Sequence, residues 1–160
     1  MDIATIARRV ELERLYADYA HCLDADRLES WPDFFTEDCF YRVTSADNYA
    51  AGLPLGLIYA TSRNMLIDRV RALREANIYE PQRYRHLVSS LRVLDETGAG
   101  VFEVEANFLV IRTMQEGDMT IFAAGRYVDR LVRADETWRF SRKEVVLDSH
   151  QIDTLLAIPL

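Results

Sequence analysis

Hydrophobic residues follow a helical period in the first half of the chain and a strand period in the second half. Over residues 3–24 the apolar positions recur near every 3.6 residues and charged residues fill the other face, which predicts a long amphipathic helix. Residues 63–76 repeat this pattern around Leu66 and Val70, and Ser62 stands where a helix N-cap is expected. Two helices therefore precede most of the strands.

The segment between these helices is less regular. Residues 26–35 predict a short helical stretch with Asp26 as its N-cap, and Pro32 predicts a break within it. A strand is expected to begin at residues 39–43. Glycine and proline punctuate residues 45–57, which predicts a loop over one end of the domain.

Strand patterns dominate the rest of the chain. Short turns separate four of them, so they should form an antiparallel meander; the strands are 83–94, 101–114, 119–132 and 138–147. Gly125 falls inside the third strand and predicts a bulge or bend that lets the sheet curl. Helices followed by a curled antiparallel sheet indicate an α+β fold, and the 160 residues are expected to form a single domain.

Charge and composition exclude several classes of protein. The formal net charge of −7 argues against a nucleic-acid partner, which requires a basic face. No apolar run approaches the roughly 20 residues of a membrane span, and the first residues contain no run of signal-peptide length. We therefore expect a cytoplasmic protein with no nucleic-acid or membrane partner.

Metal-binding residue types are scarce. The chain has three histidines, His21, His86 and His150, and two cysteines, Cys22 and Cys39, with no CxxC spacing. A Rieske cluster needs two cysteines and two histidines, and a non-haem iron site needs two histidines and a carboxylate. We therefore predict no metal site and no redox cofactor in this chain, and we interpret both cysteines as core residues.

An acid–base site is harder to exclude from sequence. A long helix packed on a curled sheet forms a cone, in which Asp24, Asp38, Tyr41 and His86 could converge. A carboxylate that orients a histidine makes a workable general base. The structural alternative is that Asp24 ends a helix and that His86 is hydrogen-bonded where it enters the sheet.

Two further features suggest contact with another chain. Arg83 and Arg85 precede a strand and could pair with carboxylates of a partner subunit. The last residues are too apolar for a solvated tail, and Ile158 and Leu160 should pack either on this chain or on a neighbour.

Several motifs together resemble the small (beta) subunits of aromatic-ring-hydroxylating dioxygenases. The resemblance covers nearly the whole chain and rests on Trp-Pro-Asp-Phe-Phe-Thr-Glu-Asp-Cys-Phe-Tyr-Arg-Val at 31–43, Tyr-Glu-Pro at 79–81 followed by Arg-Tyr-Arg-His-Leu-Val-Ser-Ser at 83–90, Ala-Ala-Gly-Arg-Tyr-Val-Asp at 123–129, Trp-Arg-Phe-Ser-Arg-Lys at 138–143, and Ile-Pro-Leu at 158–160. Ser90 departs from the family, since many relatives are expected to have asparagine there.

The resemblance implies a cone-shaped fold like that of nuclear transport factor 2 or the cystatins. It also implies a hetero-hexamer of three large and three small subunits (α3β3), with the small subunits forming a trimer. The Rieske [2Fe-2S] cluster and a mononuclear Fe(II) would lie in the alpha subunit, and electrons would come from NAD(P)H through a reductase.

In such a complex both atoms of O₂ are added to an aromatic acid, such as terephthalate, to give a cis-dihydrodiol. The family assigns no catalytic or cofactor-binding residue to the small subunit, so its role would be structural. The alternative is a stand-alone dehydratase, isomerase or polyketide-cyclase-like enzyme of the same fold, with Asp24 and His86 as the acid–base pair and Tyr41 as a polarising group.

Overall fold

A long helix and a six-stranded sheet form most of the molecule. The structure is a computed structural model that describes residues 1–76, 80–98, 100–151, 156 and 158–160. Its helices are α1 (Ile3–Asp24), a 3-10 helix (Leu28–Phe34), α2 (Ala46–Ala50) and α3 (Arg63–Ala76). Its strands are β1 (Phe35–Ser45), β2 (Ile58–Ala60), β3 (Gln82–Thr97), β4 (Val101–Met114), β5 (Met119–Ala134) and β6 (Thr137–Leu147).

The strands lie in the order β2-β1-β6-β5-β4-β3. The predicted meander is confirmed, because β3 to β6 pair in sequence and each pair is antiparallel. Strand β1 then joins β6 in parallel, for example through Val43 opposite Val145, and β2 pairs antiparallel on the outer side of β1. Sequence patterns locate β1 but not its parallel partner, since that pairing is set by packing of residues about a hundred positions apart.

Helix α1 covers the core-facing side of the sheet. Its buried residues Tyr16 and Tyr19 contact aromatic side chains from the strands, with the Tyr16 ring 5.6 Å from that of Phe140, and Leu12 belongs to the same core. Asp2 caps the helix, which spans 22 residues, and Arg9 pairs with Glu13 along it, but burial of these apolar side chains supplies most of its stability.

Gly125 allows two strand backbones to approach closely, in keeping with the predicted bend. A Cβ atom at this position would lie 2.0 Å from the carbonyl oxygen of Val146 on β6. Because that atom belongs to backbone inside a sheet, it cannot easily move, so only glycine fits here.

The predicted N-cap at Asp26 is wrong. Asp26 has a φ of +56°, and its carboxylate binds the Arg74 guanidinium of α3 at 2.9 Å, while Glu29 binds the same arginine at 2.7 Å. A contact with a helix nearly fifty residues away therefore decides the conformation of this turn. The predicted loop at 45–57 also contains the short helix α2, with Ser45 as its N-cap.

Candidate functional site

The structure brings Asp24 and His86 together. Asp24 is the last residue of α1, and His86 lies in the first part of β3. The Nδ1 atom of His86 lies 2.6 Å from Oδ1 of Asp24, and the backbone N–H of His86 donates to the two carboxylate oxygens at 3.1 and 3.0 Å. One carboxylate thus holds both the ring and the backbone of the histidine, which ties the end of α1 to the edge strand.

This pair could in principle act as a base. When Nδ1–H donates to the Asp24 carboxylate, the other ring nitrogen, Nε2, is left as an acceptor. Within the described part of the chain, Nε2 is buried and has no hydrogen-bond partner. Asp24 and His86 lie along a groove of about 560 Å³ between α1 and β3, but the histidine side chain itself has no exposed surface.

Tyr41 does not join this pair. Its hydroxyl donates to the carbonyl oxygen of Leu160 at 3.1 Å, and the Leu160 N–H lies 3.3 Å from the same hydroxyl. Tyr19 donates to that carbonyl oxygen at 2.8 Å, and the indole N–H of Trp31 donates to the Tyr19 hydroxyl at 3.1 Å. Burial raises the pKa of Tyr41, so its hydroxyl stays protonated and serves as a structural hydrogen-bonding group.

The apolar last residues pack on this chain. Ile158 is 6% exposed and Leu160 is 1% exposed, and both belong to the same hydrophobic core as α1 and the sheet. Leu155 and Ala157 lie outside the described residues. Because the side chains of Ile158 and Leu160 are already buried, they offer little surface to a partner. Contact of Arg83 and Arg85 with another chain stays a prediction.

Arg83 and Arg85 lie on the outer face of β3. Both are exposed, and their β4 partners are Thr113 and Ile111. Within the described ranges neither guanidinium has an ion pair or a hydrogen bond. Most other arginines of the chain are bound, for instance Arg42, which pairs with the buried Glu144.

A buried ionic cluster that the sequence pattern does not predict lies between β5 and β6. The Lys143 ammonium lies 3.0 Å from Oδ2 of Asp129, the Tyr16 hydroxyl donates to the same oxygen at 2.5 Å, and the ammonium is 3.5 Å from the centre of the Tyr127 ring. Both charged side chains are fully buried. Strand alternation could have revealed them, since Asp129 follows Tyr127 and Lys143 precedes Val145 on the core-facing sides of their strands.

Burial shifts the pKa values of this cluster. Desolvation lowers the pKa of Lys143 to about 8, although the Asp129 charge opposes the shift. Desolvation also raises the pKa of Asp129, against the effects of Lys143 and Tyr16. The pair remains in place because each charge is hydrogen-bonded and the aromatic ring faces attract the ammonium.

The side chains that the structure describes do not fit a Rieske cluster or an iron site. Among the described residues, no group of three or more histidine, cysteine, aspartate or glutamate side chains could hold a metal ion. His21 and His150 are exposed, whereas Cys22 and Cys39 are buried. Burial raises the pKa of both thiols, that of Cys39 to about 11, as expected for core cysteines.

No helix in the described ranges combines the length and the hydrophobicity that a membrane crossing would need.

Comparison with known proteins adds independent evidence. The sequence profile of the family described as "Ring hydroxylating beta subunit" matches residues 19–154. Subunit beta 1 of the terminal oxygenase component of terephthalate 1,2-dioxygenase from Comamonas sp is 44% identical, over 94% of this chain and 97% of the relative. The small subunit of anthranilate 1,2-dioxygenase from Burkholderia cepacia is 41% identical, over 94% and 92%.

Solved structures have the same fold. A crystal structure from Novosphingobium aromaticivorans, described as the beta subunit of an aromatic-ring-hydroxylating dioxygenase, is 36% identical with a TM-score of 0.88, covering 99% of this chain and all of the other. A structure from the same organism described as a scytalone dehydratase has a TM-score of 0.72 at 21% identity, covering 99% and 95%, and shares the fold alone. The fold is therefore of the nuclear-transport-factor-2-like type, and the chain belongs to the family of ring-hydroxylating dioxygenase beta subunits.

Proposed function

We propose that this chain is the non-catalytic small subunit of a dioxygenase that acts on an aromatic acid, and that it assembles with an alpha subunit into an α3β3 hexamer. The observation that carries the proposal is the 44% identity to a terephthalate dioxygenase beta subunit over nearly the full length of both chains. Identity maintained over such a length supports a shared partner as well as a shared fold.

The redox chemistry would belong to the alpha subunit. That subunit would hold the Rieske [2Fe-2S] cluster and the mononuclear Fe(II), and NAD(P)H would supply electrons through a reductase. The product from terephthalate or a similar acid would be a cis-dihydrodiol. In support, the described residues of this chain provide no set of side chains suited to either metal centre, so no step of the reaction is assigned to them.

The contribution of this chain would be a rigid block that keeps the assembly together. Its interior is filled by large buried side chains, including Trp31, Tyr19, Tyr127 and Phe140, and by Leu160. A filled and hydrogen-bonded core suits a subunit whose task is to present fixed surfaces to its neighbours, since close-packed interiors deform little.

The contacts around Asp24 and His86 argue against a stand-alone enzyme. Two features favour it, the 2.6 Å contact between Asp24 and His86 and, among the described residues, the lack of a hydrogen-bond partner at Nε2 of His86. However, the same carboxylate also binds the His86 backbone, the histidine ring is buried, and Tyr41 is held elsewhere by Leu160. These contacts favour a structural role for the pair.

The proposal is tested by co-expressing the chain with a large subunit of this dioxygenase class. We expect the two chains to co-purify with the mass of an α3β3 hexamer, a Rieske-type absorption spectrum, and oxidation of terephthalate when a reductase and NAD(P)H are added. Benzoate and anthranilate, offered in parallel, would report the substrate range.

Two substitutions separate the structural role from the catalytic one. The complexes with Asp24→Asn and His86→Gln should keep their turnover rate within about threefold of wild type, because general acid–base catalysis contributes on the order of 100-fold or more where it operates. A turnover rate lowered on the order of 100-fold in an intact variant hexamer would refute the non-catalytic role. A wild-type chain that remains a stable monomer and does not bind the large subunit would refute the proposed assembly.

A further inference from the structure

A patch of apolar side chains lies beside Arg83 and Arg85 on the outer face of the sheet. The strand register aligns three rows across β3, β4 and β5, because directly paired residues project from the same face. The rows are Arg83-Thr113-Met119, Arg85-Ile111-Ile121 and Leu87-Leu109-Ala124. We call this surface, without Thr113 and Ala124, the arginine patch.

The arginine patch exposes large apolar side chains to solvent. Met119 and Ile121 are each 72% exposed, and Leu87 is 46% exposed. Large apolar side chains that adjoin one another on a surface mark an interaction site more often than scattered ones do. Arg83 and Arg85 lie at the margin of the patch and have no ion pair among the described residues. Because guanidinium groups bind carboxylates in a bidentate manner, they should favour a partner surface that carries carboxylates.

A second apolar surface lies at the opposite end of the sheet. Leu53, Leu55, Leu57 and Tyr59, which we call the leucine patch, occupy alternate positions, and Leu55 and Leu57 are each 61% exposed. Leu53 is 42% exposed and Tyr59 is 51% exposed, so all four side chains present apolar surface to solvent. Two long exposed apolar surfaces thus occupy opposite ends of one six-stranded sheet, since β2 ends the strand order on one side and β3 on the other.

Strand β1 fixes the leucine patch in place. The guanidinium of Arg42 donates to the carbonyl oxygen of Leu53 at 2.8 Å, the hydroxyl of Thr44 donates to that of Leu55 at 2.9 Å, and the N–H of Leu57 donates to the carbonyl oxygen of Val43 at 2.7 Å. These hydrogen bonds involve only backbone atoms of Leu53, Leu55 and Leu57, so the apolar side chains of these residues remain exposed. The surface is therefore pre-organised, which lowers the entropic cost of binding.

Carboxylates accompany the leucine patch. Glu37 and Asp38 are exposed residues of β1, and within the described ranges neither has an ion-pair partner. Phe40, two residues beyond Asp38 on β1, has its ring centre 5.3 Å from that of Tyr59, which links this end of β1 to the patch. The Arg142 guanidinium also lies on the Phe40 ring, 4.4 Å from its centre, but it is paired with Glu144. Among the described residues, the exposed charges without an ion pair are therefore negative beside the leucine patch and positive in the arginine patch.

We infer that the arginine patch of one copy docks on the leucine patch of a second copy, with Arg83 and Arg85 facing Glu37 and Asp38. A head-to-tail contact between two different patches generates a closed ring when the rotation closes. In a ring of three small subunits each copy would use both patches, and none would remain exposed. Opposite charges at the contact would offset the repulsion between chains that each carry a net charge of −7.

This inference rests on the proposed assembly, and a charge exchange tests it. The variants are Arg83→Glu with Arg85→Glu, Glu37→Arg with Asp38→Arg, and the combination of all four. Self-association of the full chain is measured by analytical ultracentrifugation, and the mass of the co-expressed complex by light scattering. Circular dichroism verifies that each variant folds, which is expected because all four side chains are exposed.

Each double variant should weaken self-association on the order of 100-fold, because like charges would then face each other. The fourfold variant should restore it to within about tenfold of wild type, because the exchanged charges again attract. The matched control is Arg27→Glu with Arg139→Glu, which makes the same change of charge at two other arginines without a described partner. It should leave self-association unchanged.

Three results would overturn the inference: no restoration in the fourfold variant, an equal loss in the control, or loss of the large subunit from the Arg83→Glu/Arg85→Glu variant while small-subunit trimers persist. The last result would assign the arginine patch to the alpha subunit. A wild-type chain that fails to bind the large subunit would instead refute the proposed function, so the two failures are distinguishable.

Discussion

The Lys143 ammonium lies 3.0 Å from the Asp129 carboxylate, and neither side chain has any exposed surface. The chain contains eighteen arginines but this single lysine. A compact ammonium fits among the rings of Tyr16, Tyr19, Tyr127 and Phe140, all with centres within about 5 Å of it. The centre of the core is therefore held by an ion pair surrounded by aromatic residues.

Breaking this pair on one side should be costly. We expect Lys143→Met to lower the free energy of unfolding by about 3–5 kcal/mol, because it leaves the Asp129 carboxylate buried without its cation. The combined Lys143→Met/Asp129→Leu variant should cost less than Lys143→Met alone, since no uncompensated charge remains. Urea denaturation of the full chain measures both, and a double variant less stable than the single one would contradict the argument.

The protonation of Lys143 should be observable directly. Lysine labelled with ¹³C at Cε gives one side-chain signal, and its titration midpoint should lie near 8 rather than 10.5, because burial lowers the pKa of the ammonium. Between these two pH values Lys143 binds more protons in the unfolded chain than in the folded one. The contribution of Lys143 to unfolding free energy therefore rises with pH in this window, by up to about 1.4 kcal/mol per pH unit.

A comparison with Lys143→Met isolates that contribution from other titrating groups. The difference in unfolding free energy between wild type and variant should grow as the pH rises from the folded midpoint towards the unfolded one. A difference that shrinks over this range, or a midpoint at the ordinary lysine value, would show that the ammonium is not desolvated.

Asp24 should stabilise the junction between α1 and β3. Asp24→Ala removes the acceptor of three hydrogen bonds to His86, and we expect a loss of about 2–4 kcal/mol. Hydrogen exchange should show faster exchange at the His86 amide. The control is Asp18→Ala, an exposed position on the same helix, which should change stability by less than about 0.5 kcal/mol.

Tyr41 should contribute through its hydroxyl alone. Tyr41→Phe keeps the ring but removes the hydrogen bonds with Leu160, so we expect a loss of about 1 kcal/mol in urea denaturation. Tyr59→Phe removes a hydroxyl from a half-exposed ring and serves as the control. Equal effects of the two substitutions would rule out a special role for the Leu160 contact.

Ser90 is a site where substitution should stabilise the fold. It has a φ of +55° at an irregularity of β3, a conformation that asparagine adopts more readily than serine. Ser90→Asn should raise the free energy of unfolding slightly, by about 0.5 kcal/mol, because it relieves part of the cost of a left-handed backbone, whereas Ser89→Asn, at the preceding position, should not. The backbone of Ser90 also explains why asparagine is expected at this position in related chains.

Sequence patterns by themselves determine the periodic part of the fold. They predict the bounds of α1, α3 and the four meander strands to within a few residues, because amphipathic periodicity and short turns are local properties. The shortage of cysteine and histidine, together with the motifs around His86, also favours a structural subunit without any knowledge of geometry.

Only the tertiary structure decided which distant residues meet. It pairs β1 with β6 and joins Asp26 to Arg74 by an ion pair. It also brings Asp24 to His86 and Tyr41 to Leu160 through hydrogen bonds. It also revealed the Lys143–Asp129 pair, for which strand alternation alone indicates a core-facing side but no partner. Such contacts depend on the packing of segments far apart in sequence, and a one-dimensional pattern fixes the face of a residue but not what it touches.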